Sequence, residues 1–166
     1  MSTAPHPTLE IRPISAADDA SIKQIIQHVG REFGAIGEGF GPSDPEVEQM
    51  SKHYDPRQGS QYWVAVLNGS VIGGGGIASF NASDSICELK KLFLLPESRG
   101  VGAGKALTQT CLEFAKQAGY RQCYLDTLAS MQAAIALYRH FGFEQLSEPM
   151  AGTEHNGCDV WMLKTL

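Results

Sequence analysis

Seven consecutive residues, Arg99-Gly100-Val101-Gly102-Ala103-Gly104-Lys105, carry the plainest chemistry in the chain: three glycines spaced by single small residues and flanked by two cations. A backbone this bare is free in φ and lets several N–H groups converge. A helix that begins inside such a turn adds unpaired first-turn N–H groups and the positive end of its dipole, which together hold phosphate. The other reading of the same residues is a tight strand-to-helix turn that needs its glycines for steric reasons alone. Two common phosphate signatures fail here. The Walker spacing is one residue short and Lys105 is followed by Ala106, so no hydroxyl is offered to magnesium; the dinucleotide fingerprint fails because the glycines alternate with single residues. What fits is Arg99-x-x-Gly102-x-Gly104.

That pattern resembles the signature of the GNAT superfamily of acetyl-CoA-dependent N-acetyltransferases. Two more stretches carry the resemblance: residues 88–96 look like the family's fourth strand, and Ala134-Ile135-Ala136-Leu137-Tyr138, running on to Gly142-Phe143, looks like its A-x-x-L-Y-x-x-x-G-F helix end. The match is good over residues 62–166 and only in outline before them. The resemblance implies that backbone groups of Leu92, Phe93 and Leu94 pair with the pantetheine arm of acetyl-CoA. It also implies that Arg99, Gly100, Val101, Gly102, Ala103, Gly104 and Lys105 surround the pyrophosphate. The N–H of Leu94 becomes the oxyanion donor, at a bulge that splays the fourth strand from the fifth. Tyr138 becomes the general acid toward the coenzyme thiolate, with a packed tyrosine as the alternative. Glu88 becomes the base that removes the amine proton, or else only an ion-pair partner of Lys90 or Lys91. The segment between the first two strands implies an acceptor wall with Phe33, Phe40 and Tyr54 as substrate contacts, although Phe33 and Tyr54 also read as core.

One position departs from the family. Seven residues before Tyr138, where many members carry an asparagine on the cofactor arm, this chain has Met131. That contact is then absent, or supplied by Ser130 or Thr127. His140, His155 and Cys158 lack metal-like spacing, so no metal is expected.

The elements that must position these groups follow from periodicity. Leu89 and residues 92–95 form an apolar run that Pro96 ends, as expected of a strand covered on both faces. Leu107, Cys111, Phe114 and Ala118 then mark one helix face, with Gly119 at the left-handed C-terminal cap. Upstream, Leu9, Ile11 and Ile14 suggest a first strand, and residues 17–33 a helix with Ser15 as N-cap and Gly30 as a break or kink. Residues 34–45 read as a glycine-rich loop, and residues 45–53 as a short helix capped by Asp44. Residues 62–67 and 71–80 flank Asn68-Gly69-Ser70, a hairpin signal. Gly73 to Gly76 inside the second run suggest a close backbone approach or a bend, with a phosphate loop as the alternative. Residues 122–128 read as a fifth strand, 131–141 as a helix capped by Ser130, and 143–146 with 159–163 as a closing pair. The expected fold is α/β (α+β): one mixed, mostly antiparallel sheet of about six or seven strands with helices on both faces.

The chain has 166 residues, 43% of them hydrophobic, enough for one domain, placed at residues 9–166 behind a loose tail over residues 1–8. A net charge of -5 argues against a sequence-blind nucleic-acid binder. The four cysteines form no C-x-x-C pair and read as free thiols of a reducing cytosol. No leader pattern or spanning run points to a membrane. The expected activity is transfer of an acetyl group from acetyl-CoA to the primary amine of a small molecule such as an amino acid or polyamine. A protein N-terminus or lysine as acceptor, and a non-catalytic acyl-CoA sensor, are the other readings; a homodimer stays open.

Overall fold

The computed structural model describes residues 8–35, 37, 40–153 and 157–166. Seven strands form one sheet in the order β1-β2-β3-β4-β5-β7-β6. Strands β1 (Leu9–Pro13), β2 (Gln61–Leu67), β3 (Ser70–Ser79) and β4 (Ile86–Leu94) form an antiparallel series, each paired with the next. Helix α2 (Ala103–Gln117) carries the chain from β4 to β5 (Gln122–Thr127), and these two strands are parallel, as a helical crossover permits. Strands β6 (Glu144–Leu146) and β7 (Val160–Thr165) close the far side, antiparallel to each other, with β7 against β5. Helix α1 (Asp19–Glu32) follows β1, and α3 (Gln132–His140) follows β5.

Alternation along β2 shows why both faces are covered. Trp63 and Ala65 join a core with α2 and α3, including Leu107, Cys111 and Ile135, whereas Tyr62 and Val64 join a second core with Ile22, Ile26 and Val29 of α1. Each such side chain, fully buried, contributes about 1.5–3 kcal/mol. The buried stripe of α2 runs Ala103, Leu107, Cys111, Ala115, and Ala118, expected on that face, is exposed instead. Gly119 does adopt the left-handed cap, at φ 93°.

The Asn68-Gly69 hairpin and the close approach at Gly73 to Gly76 are both found. A Cβ on Gly74 would stand 2.6 Å from the Tyr62 ring and 2.8 Å from the Trp63 carbonyl oxygen. Opposite these glycines β4 slips register: Gly74 faces Phe93 but Gly76 faces Lys90. The extra residue is absorbed at Lys91, whose φ is 50°. The bulge expected at Leu94 therefore lies upstream of it, because Lys91 takes the left-handed backbone. Beyond it β4 and β5 stay apart, since they pair only at Ile86–Glu88 and Gln122–Tyr124.

Several local expectations change. Residue 8 is not part of a loose tail: Thr8 and Asn68 exchange two hydrogen bonds of 3.0 Å. Helix α1 begins at Asp19 after a 3-10 turn at Ala16–Asp18, where Asp18 accepts the Ser15 N–H and a two-pronged bond from Arg12. Gly30 does not break it; its bare Cα admits Pro42, which a Cβ would meet at 2.7 Å. The expected helix after Asp44 is a 3-10 segment, Pro45–Lys52, interrupted at Gln49 and docked on α1 by Ser51 donating to Asp19. Ser130 does not cap α3: Met131 occupies that position, and the Ser130 hydroxyl donates to the Phe33 carbonyl at 3.1 Å. Pro13 ends β1 and β6 has only three residues, so both outer strands are short.

Gly74→Ala is expected to destabilise the protein by about 1–3 kcal/mol through overpacking against Tyr62, read as a lower urea midpoint at unchanged slope.

Candidate active site

The parting of β4 from β5 opens two clefts that meet at Leu92, Phe93 and Met131. The first is lined by the open edge of β4, by the 98–105 turn and by the start of α3; the second by Glu88, Asp126, Tyr138 and Cys158 behind a wall of Phe40 and Pro42. We call these the donor and acceptor clefts, after the roles that the sequence reading expects of their residues.

In the donor cleft, Gly100 and Gly102 sit at φ 92° and 85°, a left-handed backbone closed to most other residues, and Gly102 caps α2. Gly104 is pressed from both sides: a Cβ there would meet Leu94 and Leu137 at 3.2 Å. The N–H groups of Ala103, Gly104 and Lys105 belong to the first turn and have no carbonyl inside the helix to bond. Lys105 and Val101 are exposed beside them. The turn is closed to bulkier residues, and its N–H groups are the ones that the sequence reading assigns to a diphosphate. The other reading, a turn needing glycine for sterics, describes the same residues.

Strand geometry aims Leu94. The N–H of Leu95 bonds the Ile72 carbonyl at 2.9 Å, so Leu95 faces β3. Alternation then turns the N–H and C=O of Leu94 to the opposite edge, the one β5 has left. Its carbonyl is taken by Arg99 Nη2 at 2.9 Å. Arg99 itself points away from the expected diphosphate role: it pairs with both oxygens of Glu32, at 2.7 and 2.9 Å, and its guanidinium lies 5.2 Å from the centre of the Phe33 ring.

Glu88 and Tyr138 share the acceptor cleft. Tyr138 is 5% exposed and packs edge-on against Phe143. Burial, with Cys111 and Cys123 nearby, pushes its phenol well above the ordinary value, so it holds its proton at neutral pH. Lys91 pairs with Asp44 and Glu46, and Lys90 reaches Glu46. Of the expected acceptor contacts, Phe40 lines this cleft, Phe33 lines the donor cleft, and Tyr54 lines neither, being packed on Tyr62 in the α1 core. Met131 stands where the clefts join, its sulfur accepting the Thr127 hydroxyl at 3.4 Å. His155 lies outside the described residues.

Sequence reading gave no hint of the charge cluster under the acceptor wall. Lys91, its side chain 2% exposed, donates to Asp44 at 2.9 Å and to Glu46 at 2.7 Å, and Lys90 reaches Glu46 at 2.9 Å. Burial alone would raise Glu46, but the two ammonium groups outweigh it and hold the carboxyl at about 2. Local spacing does not point to Asp44 and Glu46, because their lysine partners lie more than forty positions away.

Residues 23–143 match the acetyltransferase (GNAT) family, and the chain belongs to it. It is 39% identical over 158 residues to the uncharacterized N-acetyltransferase YjgM of Escherichia coli (strain K12), with 94% of each chain covered. To the N-acetylaspartate synthetase of Xenopus tropicalis it is 36% identical over 101 residues, 61% of this chain and 37% of that one. The phosphinothricin acetyltransferase of Sinorhizobium meliloti, solved in complex with AcCoA, superposes with a TM-score of 0.75 at 26% identity, over 96% of this chain and 89% of that one. The family assignment makes this chain an acyltransferase.

Glu46 ties stability to pH. Its carboxyl titrates lower folded than unfolded, so its contribution is complete above the ordinary 4.5 and fades as pH falls toward about 2. About 3 kcal/mol should disappear across that window in urea unfolding, and Glu46→Gln should flatten that part of the profile.

Proposed function

We propose that the chain moves the acetyl group of acetyl-CoA to the primary amine of a small molecule in a reducing, cytosolic compartment. The observation that supports this is that the two clefts share Leu92, Phe93 and Met131, with the glycine turn lining one and Glu88 and Tyr138 lining the other. The coenzyme supplies an activated thioester, held by the N–H groups of residues 100–105, by Lys105 and by the free edge of Leu92 to Leu94. Everything else is asked of this chain's own residues.

Glu88 takes a proton from the incoming amine. An alkylamine of pKa about 10.4 costs roughly 4.6 kcal/mol to deprotonate at pH 7, and an α-amino group near 7.8 only about 1. The Leu94 N–H, turned to the open edge, bonds the carbonyl oxygen as negative charge builds, a contact worth about 2.7–4 kcal/mol in other enzymes. Tyr138, still protonated, donates to the departing thiolate. Alignment of the two reactants contributes roughly 7–11 kcal/mol more.

A small acceptor is favoured over a protein segment because Phe40, Pro42 and Met131 wall the cleft beside Glu88. Two proteins named for small molecules, the relative N-acetylaspartate synthetase and the structural neighbour phosphinothricin acetyltransferase, support the same choice. The four free cysteines, three of them buried, support the compartment.

Thiol release from acetyl-CoA against a panel of amines is the test. Tyr138→Phe should lower kcat by about 10²-fold or more with little change in coenzyme A affinity, and Glu88→Gln should cost more with alkylamines than with α-amino acids. Coenzyme A binding without thiol release from any amine would favour the sensor reading instead.

A further inference from the structure

The guanidinium of Arg99 is committed within the protein itself. Two of its nitrogens grip the two oxygens of Glu32, and one of them also holds the Leu94 carbonyl. A fork–fork pair of this kind fixes the plane of the arginine as well as its position. Arg99 also lies on the Phe33 ring, and the carbonyl of that same Phe33 accepts the Ser130 hydroxyl at 3.1 Å. The C-terminal end of α1 thus touches both walls of the donor cleft, the β4–α2 turn through Glu32 and the start of α3 through Phe33. The hydrogen bond from Arg99 keeps the Glu32 carboxyl below its ordinary range, so it remains charged at neutral pH.

We propose that Glu32 is a positioning residue for acetyl transfer: by fixing Arg99 it fixes the open-edge carbonyl of Leu94, and with it the aim of the Leu94 N–H into the donor cleft. The inference rests on reading that cleft as the coenzyme site. The N–H and C=O of one strand residue project from the same edge, so a clamp on one constrains the torsions that direct the other. Glu32 touches no part of the coenzyme in this account. A different role makes the opposite prediction. If Glu32 only cancelled the charge of Arg99, removing it would release a cation toward the diphosphate and tighten binding.

The experiment compares two ligands by calorimetry on the intact protein: coenzyme A, and adenosine 3′-phosphate 5′-diphosphate, which keeps the diphosphate but lacks the pantetheine arm. Glu32→Ala should weaken coenzyme A by about tenfold and the nucleotide by less than about twofold, and should lower kcat as well. Glu32→Gln, which keeps one acceptor oxygen, should recover part of the loss. Tighter binding of both ligands would overturn the proposal in favour of charge cancellation. Equal weakening of both would place the effect in the phosphate turn and also overturn it. A lower melting temperature with unchanged affinities and kcat would leave Glu32 a structural role only. If the unaltered protein bound neither ligand, the coenzyme reading would fail first, and this proposal with it.

Discussion

The structure depends on the separation of two strands that begin as neighbours. A parallel pair that stayed zipped would satisfy every backbone group between β4 and β5 and leave no slot in the sheet. Here pairing stops after Glu88, so the polar groups of Leu94 face an edge with no strand beside it. Backbone groups left in that position need a partner, and an extended ligand able to donate and accept is the natural one. The bulge at Lys91 helps to keep the strands apart, because an extra residue bends and twists the strand that carries it.

That bulge has an electrostatic consequence. A lysine in a left-handed backbone at the centre of a sheet is unusual, and its side chain is driven inward rather than to solvent. A buried ammonium is tolerable only with counter-charges, and Asp44 and Glu46 supply them from the segment that walls the acceptor cleft. The two features are therefore one unit: the kink that opens the sheet also anchors the wall beside the opening. The Tyr62 hydroxyl, bonded to the Lys91 carbonyl at 2.7 Å, secures the same point from β2.

The parts legible in the sequence were those written in local spacing. The Asn68-Gly69 hairpin, the Gly102 start and Gly119 end of α2, and the chain order of strands all follow from turn chemistry and periodicity within a few residues. The glycine cradle and the Tyr138 helix end were legible because several residues at fixed intervals carry them together. What could not be read was side-chain commitment over long separations. Arg99 looked available for phosphate because nothing near it in sequence is acidic enough to claim it except Glu97, yet Glu32 of α1 holds it from 67 residues away. Ser130 looked like a helix cap for the same local reason, and tertiary contact with Phe33 overrode it. Ala118 falls on the angle of the buried stripe, but α2 ends at Gln117, and Ala118 is its exposed C-cap residue.

The short outer strands of the sheet bear on how the molecule meets others like it. On one side Pro13 ends β1 without an amide hydrogen to offer; on the other, β6 spans three residues. A second molecule adding its own strand to either border would gain few hydrogen bonds, so lateral growth into a continuous intermolecular sheet is poorly rewarded. Helix and loop surfaces are therefore better placed than the sheet borders to meet a second copy.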